Sequence, residues 1–184
     1  MIENYEKFLE ELDSMLKTYF ESHKEYIKCK KGCSICCKNG DFPMSQIEFT
    51  YITKGYINLP NDIKKEVQKN INQIKQQKEK TEGRFEYDCP FLINDECSVY
   101  KYRGIICRTF GLCYYDDVKK YLRFPGCVNF GLNYSEVYDV ETNTTEITDI
   151  PKQNLRTDVI LNSLNALKYN IDAGEIRPLI DWIK

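Results

Sequence analysis

Nine cysteines and a single histidine stand among 184 residues, and the cysteines fall into two groups. Cys29, Cys33, Cys36 and Cys37 form a C-x3-C-x2-C-C cluster; Cys89, Cys97, Cys107, Cys113 and Cys127 follow after a long cysteine-free stretch. A C-x2-C turn such as Cys33 to Cys36 lets two thiolates converge on one metal, as in zinc knuckles and iron–sulfur ligand loops. Gly32 leaves the backbone free to approach that metal. The Cys36–Cys37 doublet adds a second expectation. In extended backbone, neighbouring side chains point to opposite faces, so the two sulfurs would serve different metals or different irons. Cys107 is followed by Arg108, whose permanent charge would favour a thiolate. Sulfur-only ligation excludes magnesium and calcium and suits zinc, iron–sulfur centres or Cu(I). Cys113 is equally well explained as a small buried hydrophobe. The expected ligand set is Cys29, Cys33, Cys36, Cys37, Cys89, Cys97, Cys107 and Cys127.

Other chemistries find less support. An odd number of cysteines leaves one over in any full disulfide scheme. The first twenty residues mix charged with apolar groups and lack the continuous apolar core of a secretory signal. The expected compartment is therefore the cytoplasm, where thiols stay reduced and cysteine clusters more often bind metal. A thioredoxin-like use of Cys33 and Cys36 would need a βαβ context, which the sequence does not offer. No phosphate loop, dinucleotide glycine pattern or serine–histidine arrangement is present. His23 falls near the apolar stripe of the first helix and reads as an interfacial histidine rather than a ligand. Lys64, Lys65, Lys69, Lys75, Lys78 and Lys80 make one helix basic, but a solvated face explains them. The chain as a whole carries 26 basic against 28 acidic side chains, a net charge of -2, which disfavours nucleic acid as a partner. Tyr100, Tyr102, Tyr114 and Tyr115 could line a pocket beside the metal, although packing accounts for them as well. No run of about 18 apolar residues exists, so no membrane-spanning helix is expected.

The elements that must carry these thiols are mostly legible. Residues 2 to 27 place Tyr5, Phe8, Leu9, Leu12, Met15, Leu16, Tyr19, Phe20, Tyr26 and Ile27 on one stripe of a long amphipathic helix. The segment from Cys29 to Pro43 has no period and is loop. Ser45 with Glu48 forms a capping box that opens a short helix to about Tyr51 or Ile52, ended by Gly55. A third helix starts at Asn61 and Asp62, with Ile63, Val67, Ile71 and Ile74 on one face. Residues 89 to 100 predict a hairpin around Asn94 and Asp95, followed by a short helical turn through Cys107. A second hairpin turns near Asp116 and Asp117. The segment 136–148 is compatible with a strand or an exposed loop. Leu155, Val159, Ile160, Leu164, Leu167 and Ile171 restore a helical period, and Gly174 and Pro178 set off a terminal segment with Trp182. The expected fold is α+β: a small, helix-rich single domain with short hairpins around a cysteine-rich metal centre. Its parts are an N-terminal helix (1–28), the cysteine-cluster region (29–130) and a C-terminal helical segment (131–184).

The first cluster followed by CPFL and then CSVYKYRGIICR resembles the CxxCxxCC zinc- or iron-chelating domain family, the YkgJ-type cysteine cluster proteins. The resemblance spans about residues 29 to 130. It implies ligand roles for Cys33, Cys36, Cys37, Cys89, Cys97 and Cys107, and Cys127 in FPGC resembles a late cysteine of some members. The first gap here has three residues, Lys30, Lys31 and Gly32, rather than two, which bears on Cys29. Gly104 stands where a proline often follows the arginine, here Arg103. A related domain occurs in longer flagellin lysine methylases. Recognition thus implies a site more than a reaction. Two function classes stay open: an iron–sulfur protein with an electron-transfer or oxidoreductase role in protein or peptide modification, and a structural zinc module that meets a protein or peptide partner without catalysis. The Cys36–Cys37 doublet and the surplus of thiols favour the first. The lack of an acid, base or cofactor motif favours the second.

Overall fold

A computed structural model describes residues 1–30, 32–148 and 153–184. Lys31, in the gap between Cys29 and Cys33, lies outside them. In chain order the elements are α1 (Ile2–Ser22), β1 (Pro43–Ser45), α2 (Gln46–Ile57), α3 (Asn61–Lys78), β2 (Leu92–Ile93), β3 (Glu96–Cys97), α4 (Ile105–Thr109), β4 (Tyr114–Asp116), β5 (Tyr121–Arg123), β6 (Tyr138–Asp139), β7 (Thr144–Thr145), α5 (Thr157–Leu161), α6 (Leu164–Lys168), β8 (Ile176–Pro178) and α7 (Leu179–Trp182). The strands pair two by two, all antiparallel: β1 with β8, β2 with β3, β4 with β5 and β6 with β7. The fold is the expected small α+β arrangement with short hairpins. Among the described residues no helix is long and apolar enough to cross a membrane. The chain divides into two compact units, one of Glu3–Lys31 with Arg108–Ile171, the other of Gly32–Cys107 with Asp172–Lys184.

The second unit is organised by the capping box. Ser45 Oγ accepts from the Glu48 amide, and Glu48 accepts from the Ser45 amide at 2.8 Å, so two otherwise orphaned helix donors are satisfied. α2 then runs through Gly55 to Ile57; the expected stop at Gly55 is not made. A Cβ at Gly55 would lie 2.5 Å from the Tyr102 ring, so this glycine admits a close aromatic approach inside the helix. α3 turns Val67, Ile71 and Ile74 onto a core shared with Phe42, Met44, Ile52, Tyr87, Phe91, Val99, Leu179 and Ile180. Side chains of this size contribute about 1.5–3 kcal/mol each when fully buried. β8 returns the chain end to β1, and the Trp182 indole donates to the Met44 carbonyl at 2.9 Å. Trp182 also stacks on Phe49 at 5.6 Å.

In the first unit α1 buries Tyr5, Phe8, Leu9, Leu12 and Leu16, and ends at Ser22, before a separate turn over Lys24–Tyr26. Glu11 on its outer face bonds the Lys168 ammonium at 2.6 Å and the Tyr169 hydroxyl. The hairpin β4–β5 turns over residues 117–120, where the buried Asp116 carboxylate accepts from the amides of Val118 and Lys119. Segment 136–148 resolves as the short pair β6–β7. The single helix expected over residues 155–171 is instead two. Ser163 caps a new start by accepting from the Ala166 amide, and Leu164 and Leu167 are 84% and 61% exposed. The apolar period there belonged to two short pieces rather than one buried face.

Candidate functional site

Cys33, Cys36, Cys37, Cys89, Cys97 and Cys107 all belong to the unit of Gly32–Cys107, while Cys29, Cys113 and Cys127 belong to the other. The cysteine loop begins at Gly32, whose φ of 89° suits glycine. Ile35–Cys37 then form a single 3-10 turn, closed by the Cys37 amide on the Ser34 carbonyl at 2.8 Å. Past this turn the chain pairs with the next cysteine segment. The Cys89 amide donates to the Cys37 carbonyl at 2.8 Å, and Gly40 and Tyr87 exchange both backbone bonds at 3.0 Å. Asp95 adds a latch: it accepts from Ser34 Oγ at 2.7 Å and pairs with Lys38 at 2.9 Å. Asp95 and Asn94 hold positive φ angles of 59° and 51°, the mirror-image turn that a two-residue hairpin requires. The same hairpin carries Cys97 on β3.

Cys107 is placed by another device. Glu48 Oε1 accepts the Ile105 amide at 2.8 Å, at the start of α4, while Oε2 accepts from the Ser45 amide and hydroxyl. The carboxylate is fully buried. A Cβ at Gly104 would stand 2.7 Å from Met44 Sδ and 2.9 Å from Glu48 Oε1. Gly104 is therefore set by space, and a proline there would overlap the anchor of the helix.

Cys36 and Cys37 are not in extended backbone, so the expectation that their sulfurs face apart does not hold. The 3-10 turn brings the two Sγ atoms to 3.8 Å. Thiolate–zinc bonds of ~2.3 Å at tetrahedral angles put two sulfurs about 3.8 Å apart, so the doublet has the spacing of two ligands on one ion. The hydrogen bond between the two thiols draws the Cys36 pKa down to about 7, with Arg103 assisting. Cys37 is correspondingly held far above its ordinary value, first by that hydrogen bond, then by burial and the charges of Cys36, Cys89 and Cys107. Burial, reinforced by neighbouring thiols, raises Cys89 and Cys97, and pushes Cys107 up to about 12. Ionised, Cys36, Cys89, Cys97 and Cys107 would each raise the pKa of neighbouring thiols in this group, so the five thiols lie within electrostatic reach of one another. Cys89, Cys97 and Cys107 back onto the apolar core.

A cation of this locality is Arg103, whose charge helps to lower Cys36 and opposes the rise of Cys97 and Cys107. Its guanidinium lies over the Tyr100 ring at 4.1 Å. Arg108, the cation expected from the sequence, instead belongs to the other unit and pairs with Asp13. Sequence reasoning gave Asp95 only as a turn residue and Glu48 only as a cap, and it gave Arg103 no role at the site. Tyr102 packs on Tyr51 at 5.1 Å, and Tyr114 and Tyr115 lie on β4 of the other unit.

In that other unit His23, Cys113 and Tyr134 are buried together. His23 Nδ1 is 2.9 Å from the Tyr134 hydroxyl and 3.9 Å from Cys113 Sγ. Burial pushes the Cys113 thiol up to about 11, against a hydrogen bond from Tyr134. His23 is the satisfied interior histidine that its position predicts.

Among the described residues, no group of three or more histidine, cysteine, aspartate or glutamate side chains is arranged to hold a metal ion. What fits a soft transition metal is the donor set, sulfur throughout, and the Cys36–Cys37 spacing. No family model, curated protein or solved structure matches the chain.

Proposed function

We propose that the protein is a metal-binding protein whose centre is held by Cys36, Cys37, Cys89, Cys97 and Cys107, with Cys33 available from the same loop. The observation that carries this reading is the 3.8 Å separation of the doublet sulfurs within a group of thiols that share one locality. A neutral buried thiol pair could reach this spacing by packing alone; five thiols from four separate segments make that account costly. Metal entry must draw the remaining thiols inward and displace their protons. Zinc would supply folding free energy on the order of 10 kcal/mol, comparable to the stability of a domain. An iron–sulfur cluster would supply one-electron chemistry.

The chain's own residues do the rest. Asp95 and the Cys89–Cys37 backbone bond hold the first loop against the later cysteines. Arg103 offsets part of the thiolate charge. The doublet favours a single tetrahedral ion, and hence a structural zinc module. The surplus of thiols over four favours the polynuclear alternative, with an electron-transfer or oxidoreductase role; the reducing cytoplasm suits either. Anaerobic purification followed by elemental analysis and a visible absorption spectrum separates the two. Zinc with a colourless protein supports the module, iron with sulfide and visible bands supports the cluster, and absence of both metals refutes the proposal.

A further inference from the structure

Glu48 is the least expected group beside the thiols. A fully buried carboxylate is costly unless its charge is compensated by hydrogen bonds, and here both oxygens are occupied. Oε2 takes the Ser45 amide at 2.8 Å and the Ser45 hydroxyl at 2.7 Å; Oε1 takes the Ile105 amide at 2.8 Å. The first pair belongs to the cap of α2 and would suffice for a surface capping box. The third bond crosses to the first residue of α4, the five-residue helix that carries Cys107. The first main-chain donors of a helix have no acceptor within the helix itself. Gly104, immediately before, leaves no space for a Cβ between Met44 and the carboxylate. Three independent features therefore converge on one contact.

We infer that Glu48 is a positioning residue for the thiol centre: its carboxylate fixes the start of α4 and thereby the direction in which Cys107 is presented to Cys36, Cys37, Cys89 and Cys97. This deepens the proposed metal-binding function and rests on it. Outer groups that orient metal ligands in this way typically alter affinity ten- to a hundredfold when removed. A cap that only stabilised α2 would change folding and leave the metal unaffected.

The test uses the full chain, prepared metal-free and titrated anaerobically with cobalt(II), read by thiolate-to-cobalt absorption and by competition with a chelator. Glu48→Asp keeps a carboxylate near Ser45 but is too short to reach Ile105. Ser45→Ala removes the hydroxyl of the cap and keeps the Ile105 bond. Glu48→Asp is expected to bind cobalt at least about tenfold more weakly, with reduced thiolate absorption, while Ser45→Ala binds like the parent despite a lower melting temperature. Circular dichroism and Trp182 fluorescence report whether each metal-free variant is folded. Should Glu48→Asp fail to fold, Glu48→Leu carries the same expectation, because it fills similar space but accepts no hydrogen bond from Ile105. Parental affinity in the Glu48 variants, or an equal loss in Ser45→Ala, overturns the positioning role alone. A parent chain that binds no cobalt overturns the metal reading and this inference with it.

Discussion

The amide of Cys89 donates to the carbonyl of Cys37 at 2.8 Å. That bond joins two cysteine groups lying far apart in sequence, and the Gly40–Tyr87 pairing beside it extends the contact. Once the backbones are tied at this point, the Cys36–Cys37 turn stands beside Cys89 without help from a long strand or helix. The sulfur group is thus assembled by short local pairings, each weak, set against a well-packed core.

The doublet should be visible in thiol reactivity. In the metal-free chain Cys36 is expected to ionise near neutrality, because it is hydrogen-bonded to Cys37 and Arg103 lies nearby. Alkylation followed by peptide mapping should label Cys36 first, with a rate that rises through a midpoint near 7. Cys37→Ala should move that midpoint upward further than Arg103→Ala does. Uniform labelling of Cys36, Cys89 and Cys107 with an ordinary thiol midpoint of ~8.5 would show that no such pair exists.

Cys113 predicts a loss of stability in alkali. Its folded-state pKa, about 11, lies above the ~8.5 of an unfolded thiol, so the folded state holds the proton more tightly. The contribution is complete below the unfolded value and disappears as pH rises through the folded one, an effect on the order of 3 kcal/mol. Denaturant unfolding of the metal-free chain between about pH 8 and about pH 11 should show this decline. Cys113→Ala should make it shallower, with the raised thiols Cys89, Cys97 and Cys107 supplying the remainder. A parent and variant with identical pH slopes would mean that Cys113 ionises freely in the folded state.

Gly104→Ala should destabilise the chain although alanine is the better helix former. Its Cβ would stand 2.7 Å from Met44 Sδ and 2.9 Å from Glu48 Oε1, and overpacking of this kind costs about 1–3 kcal/mol. Urea midpoints of the two chains measure it. A neutral or stabilising result would show that Met44 moves aside easily and that the site before α4 is looser than its packing indicates.

What the sequence made legible follows from how local each signal is. The Ser45–Glu48 box, the Asn94–Asp95 turn and the period of α3 are written within a few residues, and each is where it was expected. The pairing of β1 with β8 depends on residues at distant points of the chain, and no local pattern marks it. Gly55 looked like a helix stop because a glycine's neighbours in space are invisible in sequence; Tyr102 is its reason. Leu164 and Leu167 kept a helical period without burial, which period alone cannot reveal. For the site, the cysteines themselves were plain. The direction of the doublet was not, since it depends on a 3-10 turn rather than on residue type. Arg108 draws attention because it is adjacent to Cys107 in sequence, whereas the nearness of Arg103 to the thiols is a matter of space.

The most direct measurement is metal content per chain, by anaerobic elemental analysis, in the parent and in single alanine variants of Cys36, Cys37, Cys89, Cys107 and Cys113. The account predicts zinc or iron in the parent, marked loss in the variants at positions 36, 37, 89 and 107, and full retention in Cys113→Ala. A parent chain without transition metal after growth in metal-replete medium, or a Cys113→Ala variant that loses as much metal as Cys37→Ala, would contradict it.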